Sequence, residues 1–189
     1  MLALYSPIIS IALFVLAGAV AYLFIFGFVW GAGYYPTPKS EILIAGELLD
    51  PRPDSKIYDL GSGFGKVVMT LASKYRYAHF VGVDIDPLKY WWSALEARRR
   101  GLEGNVTILR RNLLQVDLSD ASGIFIFLSA DTRIMRDLHE KILKEVKPGT
   151  RIVSYVHKFR SWAPSLERGN VRLYVVQPKD LRNSQEGPP

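Results

Sequence analysis

Not one of the first 38 residues is charged or carries an imidazole, and from Pro7 to Trp30 the sequence is almost unbroken apolar. As a helix rising 1.5 Å per residue, that stretch extends roughly 36 Å. This is enough to cross a ~30 Å hydrocarbon core with some tilt. Tyr5 stands near one end, and Trp30, Tyr34 and Tyr35 near the other, where amphipathic rings favour the membrane interface. A cleaved signal peptide is the competing reading. Ala19-Val20-Ala21 imitates a cleavage site, but the basic leader that such peptides carry is missing. A buried core helix is usually shorter and rarely free of every polar anchor. The sequence therefore predicts an anchor over residues 1–33 with one transmembrane helix at about 7–30. Every Lys and Arg follows the span, so the remainder is expected on the cytoplasmic side of a cell membrane. Gly27 and Gly31 have a GxxxG spacing, which alone is too common to support a dimer.

All the charge lies after residue 38, where 24 Lys and Arg face 18 Asp and Glu, a net +6. The chain has no cysteine, which excludes disulfides, thiolate catalysis and a thiolate-bound zinc. His79, His139 and His157 are too widely spaced for a metal motif, so no metal is expected. The basic balance suits anionic lipid below a membrane. It is weaker evidence for nucleic acid. Arg98, Arg99 and Arg100 fall at a helix C-terminus, where the dipole favours cations, and Arg110-Arg111 alone makes a poor phosphate footprint.

Beyond the anchor, short apolar runs alternate with amphipathic stretches, the pattern of an α/β domain with a mainly parallel sheet. Thr37 reads as an N-cap and Pro38 as the first residue of a helix running to about 49. Strands are expected at 56–60, 79–84, 106–110, 123–128 and 151–156. Helices are expected at 66–75, with Val67, Val68, Leu71 and Ala72 inward, and from Pro87 to about 98. Asp86 caps the second of these, and its buried stripe is Leu88, Trp91, Trp92 and Leu95. A further helix, 131–145, turns Ile134, Met135, Leu138 and Ile142 inward. A hairpin about Gly169-Asn170 returns along 171–176. The domain is thus placed at 34–178, and the polar tail 179–189 is expected to be mobile.

The chemistry is concentrated at Asp59-Leu60-Gly61-Ser62-Gly63-Phe64-Gly65-Lys66, a strand end, a glycine turn and a helix start. Open parallel sheets bind ligands at the carboxyl ends of their strands, where the winding reverses. Glycines there admit a ligand with no Cβ in the way. The spacing is G-x-G-x-G, with Lys66 where a dinucleotide fingerprint would place its third glycine. This disfavours a nicotinamide-dependent oxidoreductase. S-adenosylmethionine (AdoMet) instead presents a zwitterionic amino-acid end, for whose ammonium Asp59 is a suitable acceptor. The second strand ends Val83-Asp84-Ile85-Asp86, 23 residues after Gly61 for Asp84. A carboxylate there can accept both ribose hydroxyls, and Asp84 is preferred because Asp86 is used as a cap. Ile85 is placed against the adenine face. At the third strand end, Asn112, followed by Leu113, is a candidate acceptor for the adenine amino group, and an ordinary loop Asn is an equal alternative.

In order, D-L-G-S-G-x-G, G-V-D-I-D-P and K-P-G before a strand resemble the seven-stranded AdoMet-dependent methyltransferases. Tyr35-Pro36-Thr37-Pro38 is similar to the P-T-P motif of a small protein-lysine methyltransferase family found in archaea and, with a membrane anchor, in mitochondria. Residues 59–68 also resemble the non-SET histone lysine methyltransferases. The likeness covers most of 34–176. It implies a Rossmann-like doubly wound fold, AdoMet as cofactor, and a pocket closed by Tyr35 and Thr37. Asp59, Gly61, Gly63, Asp84 and Asn112 would bind the cofactor, with Ser62, Gly65, Ile85 and Leu113 beside them. Two departures stand out. The chain has Phe127-Leu128-Ser129-Ala130 where an aromatic hydroxyl and a proline are frequent, and Asn112 where many methyltransferases carry Asp.

Methyl transfer to lysine needs a neutral amine, which an apolar channel favours by lowering its pKa. Tyr35, Phe127, Tyr155, His157 and Trp162 fall near strand ends where such a channel would form. For each one separately, core packing is the commoner role of an aromatic. His157 alone could also relay a proton at neutral pH. No catalytic base can be assigned from the sequence. Base-amine methylases usually carry a Pro-Pro-aromatic tetrad after strand four, which residues 127–130 lack. RNA or small-molecule methylation and a non-catalytic AdoMet-binding membrane module remain as alternatives. The eight residues from Gly31 to Pro38 reach roughly 28 Å at most. The expectation is therefore a membrane-associated protein substrate with a lysine close to the cytoplasmic surface.

Overall fold

The computed structural model describes residues 2–30, 36–128, 132–160, 162–178 and 180, with residues 2–6, 23–30 and 132 described by backbone alone. The chain divides into two compact units, Met1–Tyr34 and Tyr35–Pro189.

The first unit is helix α1, Leu2–Trp30. Over residues 7–22 its apolar side chains are exposed on every face, Phe14 to 81%. The helix expected at 7–30 is therefore present. Among the described residues, however, no helix is long and apolar enough to cross a membrane.

The second unit is built on a seven-stranded sheet. Its strands are β1 (Lys56–Leu60), β2 (His79–Asp84), β3 (Val106–Arg110), β4 (Gly123–Ile126), β5 (Arg151–Tyr155), β6 (Leu166–Arg168) and β7 (Val171–Val175), in the spatial order β3-β2-β1-β4-β5-β7-β6. The first five are parallel, and β7 runs antiparallel to both β5 and β6. The expected parallel sheet with a C-terminal antiparallel hairpin is what forms. Buried runs such as Ile57–Leu60 and Gly123–Ile126 explain the parallel centre, since strands covered on both faces need apolar residues at successive positions. The alternation of β1 divides the core in two. Ile57 joins Phe80, Phe125 and Val153 on one face, and Tyr58 and Leu60 join Val81, Ile124 and Ile152 on the other. The winding reverses between β1 and β4, which places the switch point at the end of β1.

Helices α2 (Lys39–Leu49), α3 (Lys66–Lys74), α4 (Pro87–Arg99) and α5 (Thr132–Glu145) complete the unit. The inner residues expected of α3 and the Met135, Leu138 and Ile142 of α5 are buried. Three expectations are corrected. The cap of α2 is Pro38 rather than Thr37, and no side chain caps it; the carbonyl of Pro38 takes the first bond, from Ile42. β4 and β5 stop at Ile126 and Tyr155, short of the expected 128 and 156. Finally, α4 buries Ser93 and Ala97, and its supposed core stripe of Leu88, Trp91, Trp92 and Leu95 is exposed. An apolar stripe identifies a helix, but the facing element decides which side is covered. The tail beyond 180 lies outside the described residues.

Candidate functional site

Gly61, Gly63 and Gly65 all adopt positive φ, +86°, +55° and +74°, so the turn after β1 is one that L side chains resist. The amides of Gly61 and Ser62 both donate to the Val83 carbonyl, at 2.9 Å each, and tie the turn to the end of β2. A Cβ on Gly61 would stand 2.8 Å from Leu128 Cδ2. Gly61→Ala is therefore expected to destabilise the protein by ~1–2 kcal/mol through strained φ and crowding. Urea unfolding measures this, and an unchanged midpoint would contradict it.

Asp84 points at this turn. Its Oδ2 accepts from Gly63 N at 2.8 Å and its Oδ1 from Asp86 N at 2.9 Å, so one carboxylate shapes the loop and keeps lone pairs for further donors. Asp86 caps α4 as expected, its Oδ1 accepting from Leu88 N and Lys89 N at 2.8 and 3.3 Å. Ile85 is half-buried beside it.

Asp59 is the site's electrostatic anomaly. The residue is only 5% exposed, and its buried Oδ2 has no partner. Burial, with the Asp84 charge adding to it, pushes its pKa up to about 8. A buried acceptor left unmatched costs about 1–3 kcal/mol and implies a missing donor. Ser62 Oγ is also buried and unpartnered. A lone carboxylate oxygen, a free hydroxyl and a bare glycine turn together fit a small ligand that brings an ammonium group and further donors. The amino-acid end of AdoMet is such a ligand.

Asn112 uses its Oδ1 locally. It accepts from Leu114 N at 3.0 Å and caps the 3-10 turn Leu113–Gln115. An adenine amino group would have to share that oxygen's second lone pair.

Thr37 is buried, and its carbonyl accepts from Lys66 Nζ at 2.7 Å. Lys66 thus fastens the segment before α2 to the helix that the glycine turn opens. Lys66→Met is expected to lower stability by ~1 kcal/mol, the loss of about one charge-assisted bond to the backbone, and to weaken AdoMet binding ~5-fold as the segment before α2 loosens. Titration calorimetry beside a thermal melt checks it, and unaltered affinity would show the tie to be incidental. Tyr35 lies outside the described residues.

Of the channel candidates, three come together. The ring of Phe127 meets Tyr155 edge-on at 4.8 Å and lies parallel to His157 at 6.5 Å. The backbone between them is unusual. Val156 has φ +67°, His157 N donates to the Tyr155 carbonyl at 2.8 Å, and a three-residue turn closes. Positive φ at a β-branched residue is strained. The conformation is pinned on all sides: Val156 N to the Asn170 carbonyl at 2.8 Å, Arg172 Nη1 to the Val156 carbonyl at 2.7 Å, and Ser154 Oγ to the His157 carbonyl at 2.6 Å. Trp162 does not join this group. It stacks on His139 at 5.3 Å and packs on Tyr174 at 5.0 Å, against the core on the other face.

Two contributors carry no sequence signal strong enough to single them out. Ser93, fully buried in α4, donates to the Gly63 carbonyl at 3.1 Å and looks in sequence like any helical serine. Glu41 stands in the first turn of α2, with Oε2 buried and unpartnered. Its position just behind Thr37-Pro38 is the available clue. Among the described residues no group of side chains could hold a metal ion.

Residues 59–166 match the model of the ANTKMT methyltransferase domain. The chain is 33% identical to a protein-lysine N-methyltransferase of Saccharolobus islandicus, over 76% of this chain and 92% of that one. It is 28% identical to a human lysine N-methyltransferase named for an ATP synthase component, over 69% of this chain but only 54% of the human protein. In structure it is similar to an RNA methyltransferase from Salinibacter ruber solved with S-adenosyl-L-homocysteine, with TM-score 0.71 and 27% identity over 76% of this chain and 95% of that one.

Proposed function

Because this chain belongs to the ANTKMT methyltransferase domain family, and is thus an AdoMet-dependent methyltransferase, we propose that it methylates the side-chain amine of a protein lysine. One observation carries the reading of the site: the unpartnered Asp59 oxygen, buried beside a turn stripped of side chains. When bound there, AdoMet supplies an electrophilic methyl group on a sulfonium.

The rest of the work falls to the chain's own residues. Asp59 takes the ammonium, Ser62 the neighbouring polar atoms, and Asp84 the ribose hydroxyls. Ile85 borders the adenine, which Asn112 and Leu113 reach from the end of β3. Phe127, Tyr155 and His157 wall the approach of the acceptor. Aromatic rings form that wall, and an amine taken out of water there is favoured in its neutral form. His157 can take the proton that the amine sheds on methylation. Catalysis of this kind rests mainly on alignment and exclusion of water.

The acceptor we propose is a lysine of a membrane-associated protein near the cytoplasmic surface, with α1 as a single-pass anchor in a cell membrane. Support comes from the uncharged first 38 residues, the outward apolar side chains of α1 and the short connector to the domain. Over residues 7–22 so apolar an outward surface is better matched by lipid than by water.

The test is to incubate the full-length protein with methyl-labelled AdoMet and isolated membranes, then analyse the hydrolysate by mass spectrometry. Label is expected as Nε-methyl-lysine in membrane protein. Label confined to RNA or to small molecules would sink the lysine assignment, and label on soluble proteins alone would sink the membrane one.

A further inference from the structure

Helix α4 turns its most apolar stripe outward. Leu88, Trp91, Trp92 and Leu95 follow one another at helical spacing and are 52, 69, 56 and 62% exposed. Single exposed apolar residues are ordinary, but two indoles and two leucines on one face form a contiguous patch, which marks an interaction surface. Tyr90 extends it, its ring 5.5 Å from that of Trp91. Trp92 stands edge-on to Phe64 of the glycine turn at 6.3 Å.

The C-terminal end of the helix is basic. Arg98, Arg99 and Arg100 are all exposed. The one carboxylate of α4, Glu96, is taken up by Arg99 at 2.8 Å and Arg100 at 2.6 Å. Its hydrogen bonds to Arg99 and then Arg100 hold it down to a pKa of about 2. Three arginines against that one carboxylate leave the cluster with a positive balance.

We infer that this face of α4 docks on the surface of an anionic phospholipid bilayer, its indoles and leucines in the headgroup boundary and its arginines on lipid phosphates. The inference rests on the reading that the protein works at a membrane. Two observations favour lipid over a protein groove as the occupant. Indole and leucine on one face, with arginine in excess over carboxylate at the helix end, match the interfacial helix, in which apolar insertion and attraction to anionic lipid act together. Arginine is suited to phosphate by its paired donors. In addition, the same chain carries the uncharged α1. Docking would place Phe64, and with it the AdoMet turn, at the lipid surface.

The test uses full-length protein reconstituted with vesicles of phosphatidylcholine, alone or mixed with phosphatidylglycerol, each with brominated acyl chains. Trp91's own signal is the difference between the parent and Trp91→Phe. It is expected to be quenched at least ~2-fold in the mixed vesicles and less in pure phosphatidylcholine, as apolar insertion and anionic attraction act together. Quenching should fall when Arg98, Arg99 and Arg100 are replaced by Gln. Protein that floats with the vesicles while Trp91 remains unquenched and open to aqueous acrylamide would overturn the docking and leave the anchor standing. Protein that floats with neither vesicle would overturn both. A Trp91 signal shielded without lipid, in step with protein concentration, would identify a second copy as the occupant and overturn the lipid assignment.

Discussion

Asp59→Asn is expected to weaken AdoMet binding at least ~100-fold, since one buried charge loses its partner, and yet to leave the ligand-free protein more stable at pH 8 than the parent. The two effects share one cause. The Asp59 carboxyl titrates at about 8 in the folded protein, because burial and then the Asp84 charge oppose its ionisation, whereas its ordinary value is near 4. Between those values the native state holds a proton that the unfolded chain has released. Stability is therefore complete below about pH 4, falls as pH rises and levels off above about 8. The amide cannot ionise, so the variant escapes that loss. Thermal melts of ligand-free protein from pH 5 to 9 read it directly: a falling curve for the parent, a flatter one for Asp59→Asn. The parent should regain stability with AdoMet, whose ammonium supplies the absent partner. At pH 7 binding should also expel close to one proton, visible as a dependence of calorimetric heat on the buffer's ionisation enthalpy. A level parent curve would refute this account of the site.

Asp84→Asn is the second large effect. The two carboxylate oxygens accept from Gly63 N and Asp86 N, and an amide can replace only one of them. The other backbone N–H then faces a donor. A loss of ~1–3 kcal/mol in stability and ~100-fold in AdoMet affinity is expected, the latter from ribose contacts as well as the slackened turn. A specific sign accompanies it. With the Asp84 charge gone, Asp59 ionises more readily, so the fall in stability of the ligand-free protein should end at a lower pH than in the parent. The double substitution should cost less than the sum of its parts, because the two carboxylates act on one ligand and on each other. Strict additivity would argue that they belong to separate sites.

The glycine turn, its flanking strand and helix, the place of Asp84 at the end of β2 and the cap by Asp86 are legible in sequence because each is settled within a few residues: a positive φ, a strand end, a cap. The parallel sheet follows from the alternation of strands and helices, and the antiparallel hairpin from the turn at Gly169-Asn170. What escapes a reading of the sequence depends on contacts between distant segments. Leu88, Trp91, Trp92 and Leu95 have the spacing of a core stripe, and only the placement of Ser93 under Gly63 and Gly65 reveals that α4 faces the other way. Trp162 groups with Phe127 in sequence because both follow strands, yet the end of β4 and the loop after β5 deliver them to opposite faces of the sheet. Lys66 bonding to the Thr37 carbonyl joins residues 29 apart, and no periodicity encodes that.

The turn at residues 155–157 bears on how choosy the enzyme is. A branched side chain held at positive φ and clasped by hydrogen bonds from Ser154, Arg172 and the backbone has no neighbouring conformation to relax into. If the acceptor enters beside Phe127, as we propose, the width of that doorway is set before the acceptor arrives. A stiff doorway sorts by turning misfits away, whereas a supple one moulds itself to many visitors, so this protein should have a short guest list.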